Sequence, residues 1–156
     1  MPVRVLFICV HNSARSQMAE EYMNMLGKGK FEAESAGLKP TEIMPEVVEV
    51  MREEGVNLSG KQTNNVFEFY RTGRLFDVVI TVCNEAEEEE CPIFPGVAHR
   101  LSLPFPDPKS FEGTQEERLE KVRDLRDKIR ESIEEFMEWY ISSRTDSLSS
   151  RWKVVS

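Results

Sequence analysis

Two histidines, three cysteines and two tryptophans are all that this 156-residue chain carries of those residue types, and the shortages exclude several classes. Cysteines at 9, 83 and 91 cannot form an even disulfide framework. Seven residues separate Cys83 from Cys91 and another seven separate Cys91 from His99, too many for the short knuckles of a structural zinc site. No apolar run approaches the ~18 residues of a membrane span, and no leader-like stretch precedes the first apolar segment. The expectation is a cytoplasmic protein with no membrane partner. Basic side chains are the minority, 20 Lys and Arg against 28 Asp and Glu, for a net charge of −8. Such a surface disfavours nucleic acid as a partner. The chain has no internal repeat, and its length suits one domain. Residues 1–141 are expected to form a single catalytic domain, acting as a monomer. The Ser-rich, aperiodic stretch 142–156 is expected to be a loosely ordered tail.

The remaining pattern alternates strands and helices. Val3 to Ile8 and Asp77 to Val82 are near-continuous β-favouring runs, as buried parallel strands require. Phe31 to Ala36 and Val97 to Leu103 are weaker candidates. Met18, Ala19, Tyr22, Met23 and Leu26 recur at helical spacing before Gly27. Further helices are expected from about Glu42 to Glu54, briefly around Asn65 to Tyr70, and after the capping-box signature Thr114-x-x-Glu117. In the last, apolar positions from Leu119 to Tyr140 line one face. The succession implies an α/β three-layer sandwich around a parallel sheet of about four strands. Its site should lie beyond the C-terminal strand ends.

At that edge stands the stretch Cys9-Val10-His11-Asn12-Ser13-Ala14-Arg15-Ser16, between the first strand and the first helix. A tight loop opening onto a helix N-terminus converges backbone N–H groups and the positive end of the helix dipole on one point. Arg15 adds a bidentate fork for anion oxygens. Thiols in such a field are held as thiolates, which makes Cys9 the candidate nucleophile. Residues 10–16 are the candidate binders of a tetrahedral oxyanion. Asp107, between Pro106 and Pro108, follows a strand and is the candidate general acid.

The pattern Cys-x5-Arg-Ser resembles the phosphate loop of low-molecular-weight protein tyrosine phosphatases and of the thioredoxin-coupled arsenate reductases in the same superfamily. Arg15 to Glu20, Ser35-Ala36-Gly37 and Gln62-Thr63 are similar to the reductase branch. So are Thr81-Val82-Cys83 and Cys91-Pro92, which resemble its redox segment. The resemblance implies arsenic detoxification without a bound organic cofactor. Cys9 would attack arsenate with Asp107 as acid, Cys83 would attack Cys9 and release arsenite, and Cys91 would take over the disulfide for thioredoxin to reduce. A helix spanning 83–91 would separate the two Cα atoms by about 12 Å, whereas a disulfide needs about 4.4–6.8 Å. The segment must therefore rearrange, and the run Glu87 to Glu90 makes a stable helix there unfavourable.

Three departures from the resemblance stand out. His11 replaces a common Gly, and is expected to point outward. Ala14 replaces a frequent Cys that the cascade does not use. Some relatives hold potassium behind the loop at positions matching Asn12, Glu20, Ser35 and Asn65; with Asn65 in place of Asp, any potassium site is expected to be weak. Two other functions stay open: a phosphatase acting on phosphoesters, and a non-enzymatic anion or thiol sensor.

Overall fold

The computed structural model describes residues 1–83, 91–142 and 148–155. The expected rearranging segment 84–90 therefore lies outside the described residues, as do 143–147 of the tail.

A five-stranded sheet forms the middle layer, in the order β2-β1-β3-β4-β5. The strands are β1 Val3–Cys9, β2 Phe31–Gly37, β3 Val78–Thr81, β4 His99–Ser102 and β5 Lys153–Val154. The first four run parallel, as their apolar composition predicts. Alternation along β1 sends Val5, Phe7 and Cys9 to one face and Leu6 and Ile8 to the other. The first face packs beneath the helices α1 Arg15–Leu26, α2 Pro45–Arg52 and α4 Gln115–Ile141. The second is covered by the short helix α3 Val66–Arg71 and by Phe76 and Phe94. Long α4 spans α1 and α2. Its start is fixed by the capping box, in which Glu117 N donates to Thr114 Oγ1 and Thr114 N to Glu117 Oε1.

Two expectations fail. Helix α2 begins at Pro45 rather than near Glu42, because Met44 N is already spent on the Ser13 carbonyl at 3.0 Å. Proline then starts the helix at the position where its missing donor costs nothing. The described part of the tail is not loose either. β5 pairs antiparallel with β4, and Val155 N donates to Arg100 O at 2.8 Å. Trp152 is buried, stacked on Phe136 with ring centroids 5.6 Å apart, and donates its indole N–H to Glu135 at 2.9 Å. The sheet thus has one strand more than expected, and that strand shields the β4 edge.

Candidate active site

β1 delivers Cys9 to the C-terminal edge of the sheet, and the chain turns through residues 10–14 into α1. Four loop carbonyls are drawn outward by the β2–α2 linker. Leu38 N donates to Cys9 O, Lys39 N to Val10 O, Thr41 N to His11 O and Met44 N to Ser13 O, at 2.7–3.2 Å. A planar peptide points its N–H opposite to its C=O, so the N–H groups of residues 10, 11, 12 and 14 face the opposite way, into the loop. Asn12 adopts a left-handed conformation at φ 54°, which its short polar side chain tolerates. Its N–H donates to Cys9 Sγ at 3.1 Å.

The start of α1 completes the cradle. Ala14 occupies its N-cap without a side-chain cap, and no acidic residue lies in the first turn. The N–H groups that a Ser or Asp cap would occupy are left for an anion. Ser16 Oγ lies 2.8 Å from Cys9 Sγ and accepts from Asn12 Nδ2 at 2.8 Å. Arg15 is buried, and its Nη1 donates to Phe105 O at 3.0 Å. That bond ties the loop to the segment carrying Asp107, and a fork of five donors retains capacity for anion oxygens. Ser13 and Ala14 are buried, Val10 is half-buried, and the His11 ring turns onto the Lys39 carbonyl at 3.1 Å.

Half-buried Asp107 accepts from Lys109 N at 3.0 Å and so caps the short turn Pro108–Ser110. Flanked by prolines, it sits two residues from the Phe105 anchor. Cys83 follows β3, which pairs with β1 in the register Ile8 to Thr81, with Val82 N donating to Ile8 O. Cys83 therefore stands one residue beyond the position opposite Cys9. It is fully buried in the same apolar cluster as Cys9, whereas half-buried Cys91 packs against the cluster on the other face of the sheet.

Four more residues brace this loop: Gly37 and Gln17, which lie within the resembling motifs, and Lys61 and Asn64, which no sequence pattern singled out. A side chain at Gly37 would put its Cβ 2.8 Å from Val10 O and from Asn12 N. The signal was a glycine closing a strand beside the loop, a mark of close backbone approach. Asn64 N and Gln17 Nε2 both donate to Asn12 Oδ1, at 2.8 and 3.0 Å. Lys61 bonds Glu20 and, at 2.7 Å, Glu21. Nothing in local sequence pairs Asn64 with Asn12 or Lys61 with Glu20, 52 and 41 positions apart.

The positions matched to a potassium site do not fit a cation. Glu20 accepts from Lys61 and from Ser35 Oγ, and Asn12 Oδ1 already accepts two N–H groups. Exposed Asn65 turns its oxygen to cap α3, accepting from Phe67 N and Glu68 N. Gln17 Oε1 is buried and bonds none of the described residues, but one neutral oxygen is not a cation site. Burial pushes the Glu20 carboxyl above the ordinary carboxylate range, with the Lys61 ammonium pulling the other way.

The family model for low molecular weight phosphotyrosine protein phosphatase matches residues 4–145. An arsenate reductase of Bacillus licheniformis is 35% identical over 134 residues, covering 86% of this chain and 94% of that one. The solved thioredoxin-dependent arsenate reductase of Corynebacterium glutamicum superposes with a TM-score of 0.56 at 33% identity, over 85% of this chain and 63% of that one. A low molecular weight protein tyrosine phosphatase from T. tengcongensis superposes with a TM-score of 0.70 at 25% identity, over 87% and 98%.

Proposed function

The chain belongs to the low molecular weight phosphotyrosine protein phosphatase family, and from that premise we propose that it is an arsenate reductase recycled by thioredoxin. The observation that carries this reading is the second buried cysteine, Cys83, at the strand end beside Cys9. Ester hydrolysis on the loop needs only one thiol. Reduction of arsenate to arsenite needs two electrons, and a neighbouring thiol supplies the second half of a disulfide.

Residues 10–16 and Arg15 hold the arsenate oxygens, and Cys9 Sγ attacks arsenic while Asp107 protonates the departing oxygen, which leaves as water. The Cys83 thiolate then attacks Cys9 Sγ. The sulfur–arsenic bond breaks, its electron pair stays on arsenic, and arsenite leaves behind a Cys9–Cys83 disulfide. Cys91 attacks Cys83 and frees Cys9, and a thioredoxin dithiol reduces the Cys83–Cys91 bond. Cys91 must cross from the opposite apolar cluster to do so. The donor is supported by the internal thiol pair and by the thioredoxin-dependent Corynebacterium relative. Free thiols of this kind belong in a reducing compartment, so we place the protein in the cytoplasm. No described helix is long and apolar enough to cross a membrane.

The alternative, a phosphatase, shares the loop and Asp107 and has a structural neighbour of that name. Incubating the reduced protein with arsenate alone, then mapping disulfides after alkylation, separates the two. A Cys83–Cys91 bond with one arsenite released per chain is expected. Three reduced thiols together with hydrolysis of a phosphoester would instead identify a phosphatase.

A further inference from the structure

A relay of hydrogen bonds, joined through the residues Ser35, Asn64 and Asn12 themselves, leads from the Lys61 ammonium to the Cys9 sulfur. Lys61 Nζ bonds Glu20, whose other oxygen accepts from Ser35 Oγ at 2.9 Å. The Ser35 carbonyl accepts from Asn64 Nδ2 at 3.0 Å, and Asn64 N donates to Asn12 Oδ1 at 2.8 Å. Asn12 in turn donates its N–H to Cys9 Sγ and its Nδ2 to Ser16 Oγ. Glu20 and Ser35 are buried, at 8% and 0% exposure. A buried carboxylate without a compensating cation is costly.

We propose that Lys61 is a tethered cation that positions the anion loop, in the place where an inorganic monovalent cation would otherwise be required. Its ammonium pairs with Glu20 and Glu21 and offsets the buried charge of Glu20, which lets Glu20 hold Ser35 and, through Asn64, keeps Asn12 in its left-handed turn beneath the thiol. Lys61 touches neither Cys9 nor the anion, so it is a positioning residue. The consequence is a loop whose reactivity does not depend on potassium. The proposal rests on Cys9 being the nucleophile and is independent of which oxyanion it attacks.

The test reads Cys9 alkylation by iodoacetamide, located by peptide mass spectrometry, in potassium chloride and in choline chloride at equal ionic strength. The wild-type rate is expected to be the same in both salts; a several-fold rise with potassium overturns the proposal. Lys61→Ala is expected to slow alkylation in choline by roughly threefold to thirtyfold, the range for changes acting through a packed network, and potassium should restore it. Adding Glu20→Gln should abolish that rescue. A Lys61→Ala rate equal to wild type in choline sinks the idea, as does a loss that potassium leaves unmoved. Rescue of the double variant also overturns it, since the ion would then act elsewhere. Arsenate turnover plays no part in this readout, so failure here and failure of the reductase reading remain distinct.

Discussion

Neighbouring strands β1 and β3 each lead to a cysteine, Cys9 closing the first and Cys83 lying two residues beyond the second, and the surroundings of the two differ. Beyond Cys9, backbone bonds from residues 38–44, the Gly37 contact and the Asn12 hub specify one loop geometry. Cys83 lies in the apolar cluster of the helix-rich face, and Cys91 packs against the cluster of the other face. Directional hydrogen bonds fix atoms to fractions of an ångström. Apolar packing is non-directional and rewards any arrangement that hides the same area. One end therefore suits binding a rigid anion, and the other suits partners that must exchange.

The sharpest way to break this contrast is to remove the thiol at the second end. Cys83→Ala is expected to lower arsenate turnover by roughly 1000-fold or more, the scale for losing a member of a catalytic unit. Hydrolysis of p-nitrophenyl phosphate should continue, because the first end is intact. Parallel loss of both activities would show that the two ends are one structural unit.

Disturbing the first end should do the reverse and spare nothing. Gly37→Ala forces a methyl group against Val10 O and Asn12 N. A cost of about 1–3 kcal/mol in stability is expected from overpacking, readable by urea denaturation, and both activities should fall together. A drop in arsenate turnover alone would contradict a shared cradle.

The smallest effect is expected far from either cysteine. Glu53 is held below the usual carboxylate range chiefly by hydrogen bonds from Arg123, with Arg126 adding to them. A lowered folded-state value means that its contribution is complete above the unfolded value of about 4.3 and is lost as pH falls through the folded value. Glu53→Gln should therefore lower the melting temperature at pH 7 by only about 2 °C, given a partly exposed pair. The gap from wild type should close on acidification, with kcat unchanged. Glu20, raised by burial, should act in the opposite sense, since its ionised form is the one that folding disfavours.

Much of this was legible from the residues. The parallel strands were visible as apolar runs, the anion loop as a Cys and an Arg at fixed spacing before a helix, and α4 from its capping box and its apolar face. The features that were not legible are set by distance along the chain. Lys61 meets Glu20 across 41 positions and Asn64 meets Asn12 across 52, and no periodicity encodes such pairs. The two-residue strand β5 is too short to alternate, so only Trp152, an aromatic in a polar tail, hinted that 148–155 would pack. Asn65 was matched to a cation ligand by position, but its side chain is engaged as a helix cap.

The outward-facing carbonyls of the loop have a consequence for selectivity. A cradle made of main-chain amides recognises shape and charge, and it is indifferent to the element at the centre of the tetrahedron. Phosphate and arsenate present it with nearly the same outline, so fit cannot separate them, and abundant phosphate must compete for the same seat. Discrimination is then deferred to the chemical step. Arsenic accepts an electron pair from the broken sulfur bond and leaves reduced, whereas phosphorus does not. Such a protein tells the two ions apart by redox chemistry after they have bound.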